Sequence, residues 1–402
     1  MRSTEPVAQV RQALVRGVPL QGALTDVDRV GAADLLHLDS EVRAEVRGAG
    51  PLQRLLDDPG VTDVLVNGRD GVWVDRGAGL ERVETGARLD RPAVRRLATR
   101  LAAACGQRLD DASPVVDGTL PDGTRLHAVL PPLSATGTLV SLRTHRPRVL
   151  TLDELVSGGT VAVELLPVLR ALVERRANVL VSGATGSGKT TLLAALLSLV
   201  PDHERIICIE ESAELQPDHP HVVHLQVRRA NVQQVGEVAL AELVRAAMRM
   251  RPDRIVLGEC RGAEVRDVLG ALNTGHEGGW ATVHANTAAD VPARLVALGS
   301  LADLAEATMT AQAVSAVDAV VHLRRDSGGV RRLTEVGVLA RDGDQLRCEP
   351  AVVVEGGEPA PGRAWQPLAR RLGLGRLRDG PRRPSGRAVG PASGGGRHAA
   401  AS

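Results

Sequence analysis

The stretch ANVLVSGATGSGKTTLLAALLSLV, residues 177–200, constrains the fold more than any other part of this 402-residue chain. A Val/Leu run meets a glycine-rich turn, and a second apolar run follows with helical spacing. Strand, tight turn and helix in that order form one arm of a βαβ unit, which calls for a parallel sheet covered by helices. The turn itself matches the phosphate loop GxxxxGK[ST] and sits where its mechanism requires, between strand and helix. Gly183, Gly186 and Gly188 allow the backbone N–H groups to face a phosphate chain at the helix N-terminus. The expected nucleotide-binding set is therefore Gly183, Ala184, Thr185, Gly186, Ser187, Gly188, Lys189, Thr190 and Thr191.

Lys189 is the only lysine; the other 48 of the 49 basic Lys/Arg residues are arginine. Arginine replaces lysine on a solvated surface at little cost, but a planar guanidinium cannot enter a narrow phosphate cradle as a compact ammonium does. Thr190 supplies a hydroxyl for Mg²⁺. A single lysine also leaves none for the Asn-Lys-x-Asp guanine-reading motif, and no LSGGQ signature is present, so the nucleotide is expected to be ATP.

Composition otherwise bounds little. Net charge is +1, which gives no hint of nucleic-acid binding. Phe and Tyr are absent, so cores must be built from Leu, Val, Ala and Ile with three tryptophans. Cys105, Cys208, Cys260 and Cys348 show no CxxC spacing and fit reduced thiols. No apolar run approaches the ~18–20 residues of a membrane span and no signal-peptide core is present, so a cytoplasmic protein is expected.

Residues 1–48 carry helical spacing and read as a helical extension. Residues 49–147 alternate hairpin signals such as Asn67-Gly68 with one amphipathic helix, giving a smaller α+β domain. Residues 148–160 read as a linker with a short helix. From 161 to 355 strands and helices alternate as an α/β domain. Residues 356–402, rich in Gly, Pro and Arg, read as a disordered basic tail, with WQPLARRLGLGRLR as a potential short amphipathic helix.

Three further stretches carry chemistry. RIICIEESAEL places Glu210 and Glu211 at the end of an apolar run, where acids beside a phosphate loop orient water or hold a metal shell. RPDRIVLGECRG ends a second such run at Glu259, whose carboxylate reaches Mg²⁺ through water. NTGHEGGWATVHANT places His276 before and His284 after a short strand, positions from which a histidine reads a γ-phosphate. Zinc is disfavoured because no cysteine or acid partners stand at suitable spacing.

The order of these motifs resembles the Walker A, Asp box, Walker B and His box of the secretion ATPase superfamily, the motors of type II and type IV secretion and pilus assembly. PLQRLLDDPGVTDVLVNG, PVVDGTLPDGTRLHAVLPP and LVSLRTH are similar to the N-terminal domain of its CpaF/TadA type, which serves tight-adherence pili. The resemblance covers about residues 45–355. It implies an α/β fold in which a RecA-like P-loop NTPase domain follows the smaller α+β domain, the two assembling as a homo-hexamer. Glu210 then corresponds to the glutamate that polarises water, Glu259 to the Walker B acid and His284 to the His-box histidine. Thr190, Glu211 and Glu259 would serve Mg²⁺, and Glu211 stands where the family has aspartate. Arg125, Arg143, Arg245 and Arg249 fall at arginine positions that could neutralise phosphate charge. The implied partner is an inner-membrane platform protein, with peripheral attachment to the membrane through it and no direct nucleic-acid contact. A conjugation-associated DNA-transfer ATPase and a nucleotide-gated scaffold with little turnover remain the alternatives.

Overall fold

The computed structural model describes residues 48–377, apart from 78, 86–88, 145–148, 229–234, 327 and 344. The helical extension expected over 1–48 lies outside the described residues, Gly48 excepted.

The first domain is an antiparallel sheet with one long helix on it. Its strands are β1 (Asp63–Asn67), β2 (Val72–Asp75), β3 (Leu80–Val83), β4 (Val115–Thr119), β5 (Arg125–Val129) and β6 (Leu139–Arg143), ordered β3-β2-β1-β6-β5-β4. Helix α1 (Arg91–Ala104) starts at Asp90, whose carboxylate accepts from the Ala93 N–H at 2.9 Å, with Pro92 in the first turn. Its apolar face, Val94, Leu97, Ala98, Leu101 and Ala102, is buried in the same core as Val64, Val74, Leu126 and Leu142 from the sheet.

The second domain holds nine strands in the order β15-β14-β13-β12-β7-β11-β10-β8-β9. These are β7 (Val179–Gly183), β8 (Ile206–Glu210), β9 (Val222–Gln226), β10 (Arg254–Cys260), β11 (Trp280–Val283), β12 (Ala319–Arg325), β13 (Arg331–Asp342), β14 (Gln345–Glu355) and β15 (Glu358–Pro361). From β12 to β9 neighbouring strands are parallel; β13, β14 and β15 extend the sheet antiparallel. Strand β11 lies between β7, which feeds the phosphate loop, and β10, which ends at the Walker B-like acid. This is the RecA-like α/β arrangement that the resemblance implies.

Both faces of the parallel region are covered, which is why β7, β8 and β11 are continuous apolar runs rather than alternating ones. Val179 and Val181 point into one core with α2 (Leu152–Ser157), α3 (Leu166–Glu174) and α4 (Lys189–Leu197). Leu180 points into the other with α5 (Leu240–Ala247), α6 (Val265–Asn273), α7 (Val291–Leu301) and α8 (Glu306–Ala316). Trp280 is core filler in the first of these, 2% exposed.

Two expected boundaries move. The short helix in the stretch read as a linker is α2, closed by a capping box between Thr151 and Glu154, and its Leu152 and Leu155 are buried in the second domain's core. The described part of that stretch therefore belongs to the second domain. The tail expected to be disordered from 356 instead begins as folded chain. Strand β15 edges the sheet, and helix α9 (Trp365–Leu372) buries Trp365, Leu368, Ala369 and Leu372. These four stand at i, i+3, i+4 and i+7, a stripe wide enough to dock a two-turn helix despite its Gly/Pro-rich flanks. Arg371 fastens the helix by two donors to Asp318, at 2.9 and 3.2 Å. The second domain thus reaches residue 377, and 378–402 lie outside the described residues. Among the described residues no helix is long and apolar enough to cross a membrane.

Candidate nucleotide site

In a parallel sheet the loops after the strands gather at one edge, and here they bring four of the motifs together. Strand β7 delivers the phosphate loop, β8 delivers Glu210, β10 delivers Glu259, and β11 delivers His284.

The loop is shaped by a close approach that only glycine permits. Gly183 has φ +150°, and a Cβ there would stand 2.4 Å from the Leu323 carbonyl oxygen and 2.5 Å from Ser187 Oγ. Lys189, the first residue of α4, is 8% exposed. Its ammonium donates to the carbonyls of Gly183 (2.9 Å) and Ala184 (3.0 Å), which leaves one of its three protons for a phosphate oxygen. Burial holds the ammonium below the ordinary lysine range, and Glu259 partly offsets this. Ser187 Oγ is buried with no hydrogen-bond partner among the described residues, and an orphaned donor inside such a loop suits a phosphate. Thr190 is half-buried beside Lys189, while Ala184, Thr185, Gly186 and Thr191 are exposed.

Glu210 and Glu211 separate sharply. Glu210 is 5% exposed, and its Oε1 accepts from the backbone N–H groups of Glu214 and Leu215, both at 3.0 Å. Among the described residues its buried Oε2 has no hydrogen bond, with His224 Nδ1 at 3.9 Å. A carboxylate pinned through one oxygen with the other unclaimed is suited to orienting a water. Gly258 on the neighbouring strand makes the room, since a Cβ there would lie 2.7 Å from Glu210 Cγ. Glu211 faces solvent instead.

Glu259 is the hub. Its Oε1 lies 2.8 Å from His284 Nε2 and accepts from Arg261 Nε at 2.5 Å, and its Oε2 accepts from Arg261 Nη2 at 2.7 Å. Arg261 Nη1 also lies 3.4 Å from Glu211 Oε2. The paired bond to Glu259 raises the guanidinium's basicity further. His284 Nδ1 stands 3.5 Å from Thr185 Oγ1 on the phosphate loop. Burial, with Lys189 nearby, holds the imidazole below the ordinary histidine range. His284 thus stands between Glu259 and Thr185 of the phosphate loop. An open cleft of about 620 Å³ lies beside the loop, lined by Thr185, His284, Asn286, Asp290 and Arg294 among others.

The remaining expected residues divide. Arg125 reaches the site's edge from the first domain, its Nη1 2.5 Å from Glu214 Oε1. Arg143, opposite it on β6, pairs with Asp63 at 3.2 Å. Arg245 pairs with Asp267 on α6 at 2.9 Å, and Arg249 lies in the turn after α5 that leads to the start of β10, the edge opposite the phosphate loop. His276 precedes β11 and lies at that same far edge, with Nδ1 buried and unpartnered. Of the two histidines flanking β11, only His284 can meet a phosphate in this chain.

Four participants carried no weight in the sequence. Arg261 stands two residues after Glu259, so an E-x-R spacing at a strand end was the available signal. Glu214 lies within SAEL, beside the tandem acids. Arg331 donates to the Gly186 carbonyl at 2.9 Å, and among 48 arginines nothing marked it. His322, 3% exposed on β12, meets Ser182 Oγ at 2.9 Å beneath the loop.

The donor set fits a nucleoside triphosphate with Mg²⁺: a glycine-cradled loop with a buried ammonium and an orphaned hydroxyl, Thr190 at the helix start, and Glu259 with Glu211 beyond it.

The chain is 52% identical over 316 residues to the putative conjugal transfer protein Rv3659c of Mycobacterium tuberculosis, an alignment spanning 77% of this chain and 90% of that one. It is 34% identical over 309 residues to the type IV secretion system protein PtlH of Bordetella pertussis, spanning 70% and 91%. Among solved structures, that of the pilus retraction motor PilT with bound ADP aligns with a TM-score of 0.52 at 20% identity, covering 80% of this chain and 86% of that one, a likeness of fold. Residues 45–339 match the family described as Type II/IV secretion system protein, and the chain belongs to that family.

Proposed function

We propose that this protein is an ATP-hydrolysing motor of a type II/IV secretion system, acting as a homo-hexamer. The observation that carries the reading is the meeting of Lys189, Glu210, Glu259 and His284 at one sheet edge, each from a different strand. In this reading the loop from Gly183 to Thr191 holds the phosphates, and Lys189 turns its remaining donor to the β- and γ-oxygens. Thr190, Glu259 and Glu211 would hold Mg²⁺, which when bound would supply neutralisation of phosphate charge. The free oxygen of Glu210 accepts a proton from the attacking water and orients it, while the backbone of Glu214 and Leu215 keeps the carboxylate still. His284 senses the γ-phosphate through Thr185 and Glu259. Arg125 and Arg143 approach from the first domain, and Arg245 and Arg249 serve across a subunit boundary, since in their own chain Arg245 is paired with Asp267 and Arg249 lies in the turn before β10.

The load is an inner-membrane platform protein, so the motor works on the cytoplasmic side of the membrane through that partner. A tight-adherence pilus system of the CpaF/TadA type is the leading assignment. The conjugal-transfer name carried by the Mycobacterium tuberculosis relative favours a second reading, a DNA-transfer motor; turnover stimulated by single-stranded DNA would select it. The deciding experiment measures ATPase activity of wild type and Glu259→Gln over a concentration series, with mass by light scattering. Mg²⁺-dependent turnover that rises as a hexamer forms and vanishes in the variant is expected. A ring that binds ATP yet turns over no faster than the variant would make the protein a nucleotide-gated scaffold.

A further inference from the structure

Loop 211–215 is held from two sides. From the first domain, Arg125 Nη1 meets Glu214 Oε1 at 2.5 Å and Thr119 Oγ1 meets Ser212 Oγ at 3.0 Å. Thr119 and Arg125 are directly opposed in the β4–β5 ladder, so one face of that hairpin makes both contacts. On its other side the same loop turns the N–H groups of Glu214 and Leu215 onto Glu210 Oε1. Leu215 is fully buried and anchors the end of the loop, whereas the Arg125 and Glu214 side chains are 34% and 37% exposed. Glu214 thus links the first domain to the carboxylate read above as the water-orienting one.

The pair is also placed to be broken. Glu214 lies four residues past Glu210, whose carboxylate its backbone N–H holds, and its field acts on Lys189 and Arg261 of the same site. A half-exposed guanidinium within reach of both a single carboxylate and a polyanion favours the polyanion. We propose that Glu214 is a positioning residue that holds Arg125 in reserve and yields it to the bound triphosphate, so that domain engagement and the setting of Glu210 are a single event. This rests on the ATPase reading above and adds to it a competitor for Arg125. Glu214 itself touches no substrate; it acts through Arg125 on one side and through its own backbone on the other.

The test is a double-mutant cycle on the full chain, read as the affinity for a fluorescent ATP analogue with a non-hydrolysable β,γ linkage, in the presence of Mg²⁺. Wild type, Glu214→Gln, Arg125→Gln and the double variant are compared, with circular dichroism confirming that each is folded. Glu214→Gln is expected to tighten binding roughly three- to fivefold, Arg125→Gln to weaken it, and the double variant to match Arg125→Gln alone. A merely structural Glu214 would instead leave binding unchanged or weaken it, and either result overturns the proposal. Tightening that persists in the Arg125→Gln background also overturns it, because simple relief of repulsion between Glu214 and the phosphates would then account for the effect. Wild-type binding that is absent, or unaffected by Lys189→Ala, would remove the phosphate ligand and defeat the ATPase reading together with this one.

Discussion

At the residue scale the site depends on which atoms are buried with a partner and which without. Lys189 shows why charge alone does not define the position: its ammonium fits between two loop carbonyls at 2.9 and 3.0 Å. Lys189→Arg keeps the charge but inserts a planar fork, and turnover should fall about a hundredfold or more, measured as steady-state phosphate release. His322 makes a different statement. Burial depresses its pKa, against a hydrogen bond to the Asn286 backbone and the field of Asp290, with Arg324 and Lys189 adding to the depression. A depressed histidine stabilises the fold fully above its unfolded value of about 6.5, and that contribution fades as pH falls through the lower folded value. Urea midpoints should therefore drop from pH 7.5 to pH 5, and His322→Asn should flatten part of that slope; an unchanged slope would refute the assignment. The sequence displayed Lys189 because it was the sole lysine in a recognised spacing. His322 was silent, since a histidine inside a strand announces neither its burial nor its bond to Ser182.

At the element scale, the strands are the legible part. Val/Ile/Leu runs ending in the glycine-rich loop or in acids located β7, β8 and β10, and their common apolarity told that both faces were covered. What stayed hidden was which strand neighbours which, because pairing is non-local. That is how Gly258, unremarkable within VLGEC, comes to be the residue on which Glu210 rests. A Cβ there would lie 2.7 Å from Glu210 Cγ and 3.2 Å from its Oε1. Since Glu210 is pinned by two backbone donors, Gly258→Ala must displace a constrained group. We expect kcat to fall roughly ten- to a hundredfold with nucleotide affinity nearly unchanged, and stability to drop by about 1–3 kcal/mol. Equal losses in kcat and affinity would mean that the phosphate loop, not Glu210, had moved. Helix α9 was legible as a potential amphipathic helix in WQPLARRLGLGRLR, but its docking was not. Its stripe of Trp365, Leu368, Ala369 and Leu372 is periodic, yet composition averaged over residues 356–402, rich in Gly, Pro and Arg, assigned it to a disordered tail. Local periodicity, not windowed composition, was the measure that mattered there.

At the scale of the whole molecule, three hydrophobic cores respect one boundary. One draws only on residues between 49 and 142, and the other two lie on the two faces of the larger sheet, between 152 and 372. The specific bonds across the boundary are polar: Thr119 to Ser212, Arg125 to Glu214, and Arg325 Nη2 to the Gly77 carbonyl at 3.2 Å. Exposed pairs of this kind contribute about 0–1 kcal/mol each, so neither domain needs the other in order to fold. A fragment spanning 149–377 should unfold cooperatively, within about 3 kcal/mol of the stability that the same region has in the full chain. The full chain should unfold in two resolvable transitions, and adding nucleotide with Mg²⁺ should shift most strongly the one that carries the phosphate loop. The fragment retains the phosphate loop, Glu210, Glu259 and His284 but lacks Arg125 and Arg143. It should therefore bind the nucleotide while turning over about a hundredfold more slowly than the full chain. If the fragment hydrolysed ATP at the full rate, the first domain would belong to assembly or cargo alone. A slow but binding-competent fragment would place the first domain's arginines in the chemistry, and would explain why two domains that can fold apart are joined in one chain.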